Sequence, residues 1–322
     1  ITSITINSNA DNRVITGSGT ANTLNGESSL LFDGSMLTVN GISVGKGTNS
    51  VSTNTALGIR AVNDASVSGG NNTGIGYQAL QDLTSGTVNT GVGFNSLNSN
   101  TTGHSNTGVG YNAGFGNETG VHNVAIGTSA LDTVANTSQN VAVGSNSLTN
   151  NTASNNTAVG YASLLSNTTG TLNTVVGALA MDASTTASNC TAVGYSALSS
   201  LTTGFRNIGI GQNALGALTT GIYNVAVGTF ANQNATTASS NVAMGYHALN
   251  QTTTGGSNVG VGYECLSNNT TASNNTAVGS QALTSNTTGN QNTAVGANCL
   301  DANTTGVSST AVGYNVLTNQ TT

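Results

Sequence analysis

A short pattern of polar, small and apolar residues recurs along almost the whole chain. Residues 155–161 read NNTAVGY, and related stretches such as NVAMGY at 241–246 return with a glycine in the same place. These glycines stand at 58, 76, 93, 110, 127, 144, 160, 177, 194, 211, 228, 245, 262, 279, 296 and 313. They are 17 residues apart, except for one gap of 18 and one of 16. The pattern therefore defines a tandem repeat of sixteen copies.

Each repeat has fixed residue types when its glycine is numbered position 0. Position −1 is Val, Ile, Leu or Met in all sixteen copies, position −2 is Ala or Gly in fifteen, and position −4 is Asn in fourteen. Position +3 is usually small, and position +4 is Leu in twelve copies. Seventeen residues are too few for a helical-hairpin repeat, which needs about thirty or more. The sequence predicts an all-β fold, a parallel β-solenoid of about sixteen 17-residue coils. One strand would lie at N-T-A-V-G-Y and a second at the Ala-Leu pair.

The Asn, Gly and Leu columns are expected to hold successive coils together. Glycine at position 0 indicates a bend with positive φ or a close approach of two backbones. The Asn column indicates amides that hydrogen-bond from coil to coil or left-handed turn geometry, and the sequence leaves both open. Members of these columns are Asn123, Gly127, Asn173, Gly177, Leu198, Leu215, Asn224 and Gly228. Coils about 4.8 Å apart would form a rod of roughly 75 Å.

The first fifty residues differ from the repeats. Residues 30–41 read LLFDGSMLTVNG, in which two apolar segments flank Asp33-Gly34, and this pattern predicts a β-hairpin. We expect a hairpin and connector region at 1–50 and a solenoid shaft at 51–322. The chain begins with Ile, and its last repeat breaks off at Thr322. We therefore expect it to be a fragment of a longer protein.

Charged residues make up only 4% of the chain, and proline is absent. The cations are Arg13, Lys46, Arg60 and Arg206, and the net charge is −6. So few cations could not neutralise phosphates, and we expect no nucleic-acid partner. No apolar run is long enough to cross a bilayer, so we expect no membrane insertion. Charges would be unfavourable in such a stack, because like charges would face each other in adjacent coils.

The titratable residues are scattered, so we expect no catalytic site, no cofactor, no metal site and no enzyme activity. We also expect no two carboxylates in adjacent coils, which disfavours a glycosidase. His104 and His122 lie in neighbouring coils, but only Glu118 is near them, which is too few ligands for a metal. The three cysteines have no paired framework and are expected to be free and buried. They are Cys190, Cys265 and Cys299.

Two groups of side chains interrupt the polar surface. Aromatic residues at position +1 would be exposed on a single solenoid, so we expect chains to associate as a homotrimer. They are Tyr77, Phe94, Tyr111, Tyr161, Tyr195, Tyr246, Tyr263 and Tyr314. The second group is Phe205-Arg206 and Ile222-Tyr223, at positions +11 and +12 of consecutive coils. Aromatic and Arg residues are typical of recognition surfaces. We expect them to contact a host glycan or protein, or alternatively a neighbouring chain of the trimer.

The repeat is similar to that of known fibrous surface proteins. Its N-T-A-V-G-Y-N-A-L pattern resembles the N-S-V-A-I-G repeat of trimeric autotransporter adhesin heads, which are left-handed parallel β-rolls. The match is the core of the pattern from Asn to Gly, read for example at Asn123 to Gly127. Residues 12–47 resemble segments of tail-fibre and other virion proteins of tailed phages, especially those of marine cyanobacteria. There an L-x-F-D-G-S-x-L-T-V-x-G hairpin precedes such repeats.

This resemblance implies a structural fibre of a virus or phage particle, exposed on the virion or otherwise extracellular. The expected role is to extend from the virion and to support or perform attachment to the host, with other virion or fibre proteins bound at the ends. The alternatives are a bacterial trimeric surface adhesin and an extracellular structural filament. A minor alternative is an ice-binding solenoid, because Thr pairs such as Thr219-Thr220 recur at positions +8 and +9.

Overall fold

The computed structural model describes residues 5–7, 13–17, 23–32, 36–39, 42–47, 49, 51–133 and 136–322. Within these ranges the regular structure is β-strand, and no α-helix occurs. The predicted parallel β-solenoid with a 17-residue spacing is confirmed, and it has about fifteen turns where about sixteen were expected. The chain divides into two compact units, Ile1–Gln139 and Asn140–Thr322.

The first unit begins with mainly antiparallel strands. They are β1 (Thr5–Asn7), β2 (Arg13–Gly17), β3 (Thr23–Phe32), β4 (Met36–Val39) and β5 (Ile42–Gly45). Strands β3 and β4 pair antiparallel with Leu31 opposite Thr38, so the predicted hairpin is confirmed. Its Asp33-Gly34 connection lies outside the described residues. Strand β5 pairs antiparallel with β6 (Thr55–Gly58), the first strand of the repeats.

The remaining strands of the first unit are parallel and in register. They are β7 (Thr73–Ile75), β8 (Thr90–Val92), β9 (Thr107–Val109) and β10 (Val124–Ile126). The residue at position −2 of each turn lies opposite the same position of the next, for example Gly91 opposite Gly108. Each strand is therefore one side of a solenoid turn, and the glycine of position 0 follows directly after it.

The second unit repeats this arrangement over eleven strands. They are β11 (Val141–Val143), β12 (Thr157–Val159), β13 (Thr174–Val176), β14 (Thr191–Val193), β15 (Ile208–Ile210), β16 (Val225–Val227), β17 (Val242–Met244), β18 (Val259–Val261), β19 (Thr276–Val278), β20 (Thr293–Val295) and β21 (Thr310–Val312). Each pairs in parallel with the next, and the 16-residue turn also keeps the register, since Ala142 lies opposite Ala158. The missing residue is therefore absorbed outside the strand.

The core of each turn is thin and consists of a few small residues with, in most turns, one or two large ones. The middle residue of each strand points inward, as at Ala226, and the residues on either side of it lie at the surface. Leu198 and Leu215 at position +4 are fully buried. Small residues at −2 and +3 leave room for the leucine, which explains why these columns tolerate so little variation.

The predicted second strand at the Ala-Leu pair is wrong. This segment is a tight turn in which the residues at +2 and +4 have positive φ, for example Asn213 (φ 54°) and Leu215 (φ 54°). The backbone still bonds to the adjacent turn, since the Leu215 N–H donates to the Ala231 carbonyl oxygen at 3.0 Å. Left-handed residues at alternate positions curl the chain sharply, which closes a turn of only 17 residues.

The glycine column is required by both conformation and space. Gly228 has a φ of 138°, which L-residues rarely adopt. A Cβ atom on Gly228 would lie only 2.5 Å from the carbonyl oxygen of Gly245 in the next turn. Gly127 (φ 130°) and Gly177 (φ 142°) have the same conformation. Position 0 therefore combines the two roles that the sequence predicted for it.

We expect Gly228→Ala to lower the free energy of unfolding by about 2–3 kcal/mol, because it combines backbone strain with a clash against a neighbouring backbone. Gly216→Ala is the matched control. Gly216 does not have positive φ, and its Cβ would meet its nearest atom, the Asn213 carbonyl oxygen, at 3.3 Å. Urea unfolding of both variants tests this expectation, and equal losses would contradict it.

Candidate functional site

The Asn column at position −4 forms a buried hydrogen-bonded ladder. Asn224 Nδ2 donates to Asn207 Oδ1 at 3.1 Å and to the Ala238 carbonyl oxygen at 2.8 Å. The Asn224 N–H also donates to Asn207 Oδ1, at 2.9 Å, and Asn224 Oδ1 accepts from the Asn241 N–H at 3.1 Å. Each amide therefore links three successive turns and leaves no buried polar group of its own unpaired.

The ladder is present in each of the two units, and its bonds decide between the two roles that the sequence left open for Asn. Asn123 donates to Asn106 and Asn173 to Asn156, as the coil-to-coil interpretation predicts. Neither Asn123 nor Asn173 adopts positive φ, so left-handed geometry is not their role. Cys190 interrupts the ladder: its N–H still donates to Asn173 Oδ1 at 3.0 Å, but a thiol stands in place of the side-chain amide.

One buried Asn occupies the leucine column instead. Asn232 stands at position +4, in the turn between those of Leu215 and Leu249, and is fully buried. Neither Oδ1 nor Nδ2 of Asn232 has a hydrogen-bond partner among the described residues. Burial of an unpaired amide is unfavourable, so this side chain destabilises the fold where the ladder amides stabilise it.

An outer strand face, defined as positions −3, −1 and +1, presents apolar side chains to solvent. The side chains of Met244 and Tyr263 are 43% and 49% exposed. The aromatic residues stack where they occur in adjacent turns, with ring centroids 5.0 Å apart for Tyr77 and Phe94 and 5.7 Å apart for Tyr246 and Tyr263. All eight aromatic residues predicted at +1 are exposed. Exposed apolar and aromatic groups of this kind are typical of an interaction surface.

The Thr pairs at positions +8 and +9 lie in a bend, and the two threonines of a pair differ in how far they are buried. Thr219 is partly buried, and its Oγ1 donates to the Thr236 carbonyl oxygen at 2.9 Å. Thr220 is exposed. The bend therefore offers one row of threonine side chains to solvent, since the hydroxyls of the other row are engaged in bonds between turns.

The four residues predicted as a recognition surface are Phe205, Arg206, Ile222 and Tyr223. They lie together on the second unit, and we call them the Arg206 patch. Arg206 Nη1 donates to Tyr223 Oη at 2.8 Å. The Arg206 guanidinium carbon lies 5.8 Å from the Phe205 ring centroid and 5.5 Å from that of Tyr223. The two rings meet edge to face at 5.5 Å. The sequence indicated the patch but not the hydrogen bond that fixes it.

The expectation that no two carboxylates lie in adjacent coils is wrong. Asp64 and Asp82 both stand at position +6, in consecutive turns. Burial raises the pKa of Asp82, and the Asp64 carboxylate raises it further. Hydrogen bonds from the Ser66 side chain and N–H lower the pKa of Asp64. Both carboxylates are half-exposed, whereas general-acid catalysis needs a shielded group. The side chains of Asp11, Glu27 and Asp33 lie outside the described residues.

His104 and His122 form an exposed edge-to-face pair with ring centroids 5.2 Å apart. In the described part of the chain, no group of three or more His, Cys, Asp or Glu residues is arranged to hold a metal ion. The same part contains no helix with the length and apolar character needed to span a membrane.

Neither the known protein families nor the curated proteins nor the solved structures include a significant match to this chain. The functional interpretation therefore depends on the repeat, the surfaces that it creates and the resemblance of its motifs.

The three cysteines are free and buried, as predicted. Burial raises the pKa of the Cys190 thiol to about 11 and that of Cys265 to about 12. The pKa of Cys299 is also raised by burial. These thiols are therefore protonated and inert in the folded chain at neutral pH.

We expect Asn232→Leu to raise the free energy of unfolding by about 1 kcal/mol, because it removes an unpaired buried amide from a column that normally holds Leu. The same change in the ladder, Asn241→Leu, should lower it by about 3 kcal/mol, because it leaves the buried N–H of Asn258 without its 2.9 Å acceptor. Urea unfolding of both variants measures these effects, and changes of the same sign would refute the assignment.

Because their pKa values are raised by burial, the thiols should lower the free energy of unfolding in alkaline solution. The pKa of Cys265 in the folded chain exceeds the ordinary value of 9.0. The contribution of the protonated thiol to the free energy of unfolding is therefore intact below pH 9 and is lost as the pH rises from 9 towards 12. At pH 10.5 the Cys265→Ala variant should therefore retain about 2 kcal/mol more of its pH 8 stability than the unmodified chain. Tyrosine ionisation is common to both proteins and cancels. Parallel pH profiles for the two would contradict this expectation.

Proposed function

We propose that this chain is a structural shaft, a stiff element that holds a binding surface away from the particle or cell that carries it. The observation that supports this role is the repetition of one hydrogen-bonded turn, with a buried Asn ladder at its centre. Each turn contacts its neighbours through the strand, the Ala-Leu turn and the Thr bend, as at Val225, Leu215 and Thr219. Such a stack resists bending, because its cross-section is fixed at several points in every turn.

The particle that best fits such a shaft is a virion. Residues 12–47 and the repeat resemble segments of tailed-phage fibres, and the hairpin that carries part of the resemblance is formed by β3 and β4. We place the shaft on the virion surface, with other virion or fibre proteins at its ends. Its role is then to support or perform attachment to the host surface.

The outer strand face favours association of three copies of the chain. In the second unit, eleven strands about 4.8 Å apart and a face about five residues wide give a surface of roughly 800 Å², in which the row at position −1 is apolar in every turn. This area is close to the ~800 Å² that each partner buries in a typical stable interface. Stacked rings such as Tyr246 and Tyr263 would then pack against the neighbouring chains around a shared axis.

We expect the native particle to have a mass of about three times 31.7 kDa in light scattering coupled to size exclusion, because trimerisation covers the outer strand face. The double change Tyr246→Ser and Tyr263→Ser, which copies Ser280 at the same position, should weaken the trimer so that it dissociates at concentrations where the unmodified particle is intact. Thr220→Ser, on a different side of the turn, is the control. A monomeric mass for the unmodified chain would overturn the trimer.

A further inference from the structure

The Arg206 patch departs from the residues that occupy the same positions in adjacent turns. The preceding turn carries Ser188-Asn189 there, and the turn that follows carries Ser239-Ser240. Phe205-Arg206 and Ile222-Tyr223 thus replace small polar pairs in two consecutive turns. Nothing in the ladder or the core requires this change, because the turns on both sides fold with the small pairs.

Backbone conformation makes the patch an unfavourable place for bulky side chains. Arg206 (φ 56°) and Tyr223 (φ 60°) are both left-handed, a region that disfavours large residues. The leucines at +4 share this conformation but are fully buried, as Leu215 is, and burial offsets the strain. Tyr223 is 44% exposed and gains much less from burial.

The guanidinium is held in place and retains free donors. It is fixed by the bond to Tyr223 Oη and by its contacts with two aromatic rings. A guanidinium has five N–H donors, and no carboxylate forms an ion pair with Arg206 in the described parts of the chain. Its charge is therefore available to an external acceptor.

Two backbone donors beside Arg206 also lack acceptors. In several other turns the N–H at position +11 donates to a side-chain oxygen of the next turn, as Thr171 N–H does to Ser188 Oγ at 3.0 Å and Val121 N–H to Ser138 Oγ at 3.0 Å. Phe205 and Ile222 carry no such oxygen. The N–H groups of Ser188 and Phe205 consequently have no acceptor among the described residues. The patch is rich in donors and matches an anion.

Charge and shape limit which anion fits. The second unit contains three carboxylates and a single cation, Arg206. A densely charged polyanion would be repelled, whereas a single carboxylate can form two parallel hydrogen bonds with a guanidinium. The exposed rings of Phe205 and Tyr223 offer faces against which the C–H groups of a sugar ring can pack.

The geometry points to a binding site for a sparsely charged acidic polysaccharide, with one sugar carboxylate on Arg206 and a neighbouring sugar ring on the aromatic side chains. This inference builds on the proposed function, because it names the class of host-surface ligand that the shaft would contact.

The test uses the full chain and a panel of oligosaccharides that contain glucuronate, galacturonate, mannuronate or sialate, with their methyl esters as uncharged controls. Binding is followed by titration calorimetry. The panel also includes each acidic monosaccharide, which separates recognition of a lone carboxylate from recognition of a polymer. We expect binding of at least one acidic oligosaccharide, with affinity at least tenfold weaker for its ester and for its monosaccharide.

Two variants copy residues that the repeat already tolerates. Arg206→Asn reproduces Asn189, and Tyr223→Ser reproduces Ser240, so both should fold with unchanged or higher melting temperatures. Each should weaken binding at least tenfold. Leu172→Ser is the matched control, since Leu172 is 57% exposed at the same repeat position but lies two turns from Arg206, and it should leave the affinity unchanged.

Failure of this inference can be separated from failure of the proposed function. A trimeric particle that binds no member of the panel, or that binds acid and ester equally well, overturns the polysaccharide site and leaves the shaft intact. If Arg206→Asn and Tyr223→Ser dissociate the trimer, the patch is a contact between chains and the inference is also overturned. A monomeric mass for the unmodified chain contradicts the proposed trimeric shaft instead.

Discussion

The structure depends on the hydrogen bonding of each turn to an almost identical turn about 4.8 Å away. A side chain at a given position must therefore tolerate a copy of itself directly above and below. Amides satisfy this condition because they both donate and accept, and leucines satisfy it because they pack on one another. Charges of one sign do not satisfy it. The low charge content of the chain follows from this constraint, as does the position of the buried Asn ladder formed by residues such as Asn207 and Asn224.

The same constraint explains why so small a ring is stable. Seventeen residues enclose little apolar volume, so each turn needs sharp bends, and these bends place residues such as Asn213 and Leu215 in left-handed conformations. A left-handed residue costs about 1–2 kcal/mol. That cost is offset in most turns by the burial of a whole leucine, and in addition by hydrogen bonds to the adjacent turns. Stability is therefore shared between neighbouring turns and does not belong to any turn alone.

Much of this fold could be predicted from the sequence because repetition turns one chain into many aligned copies. The period, the strand before each glycine and the Asn ladder all follow from column composition. The left-handed leucines could not be predicted, since Leu has no preference for that conformation and the Ala-Leu pair is equally typical of a strand. Asn232 could have been found, because it is the one Asn in the leucine column. The hydrogen bond between Arg206 and Tyr223 could not be predicted, because it depends on how far the Arg206 side chain extends towards the next turn. The residue types found at each repeat position do not contain this information.

The direction of the hydrogen bonds has a mechanical consequence. Within a unit, the bonds between turns run along the stacking axis, so a pull along that axis loads them directly, while the covalent chain runs around each turn. A turn of 17 residues advances the stack by only about 4.8 Å, but its extended chain spans up to roughly 60 Å. Each turn that opens under tension would therefore release roughly 50 Å of chain, and the stack would lengthen in steps before any covalent bond carried the load.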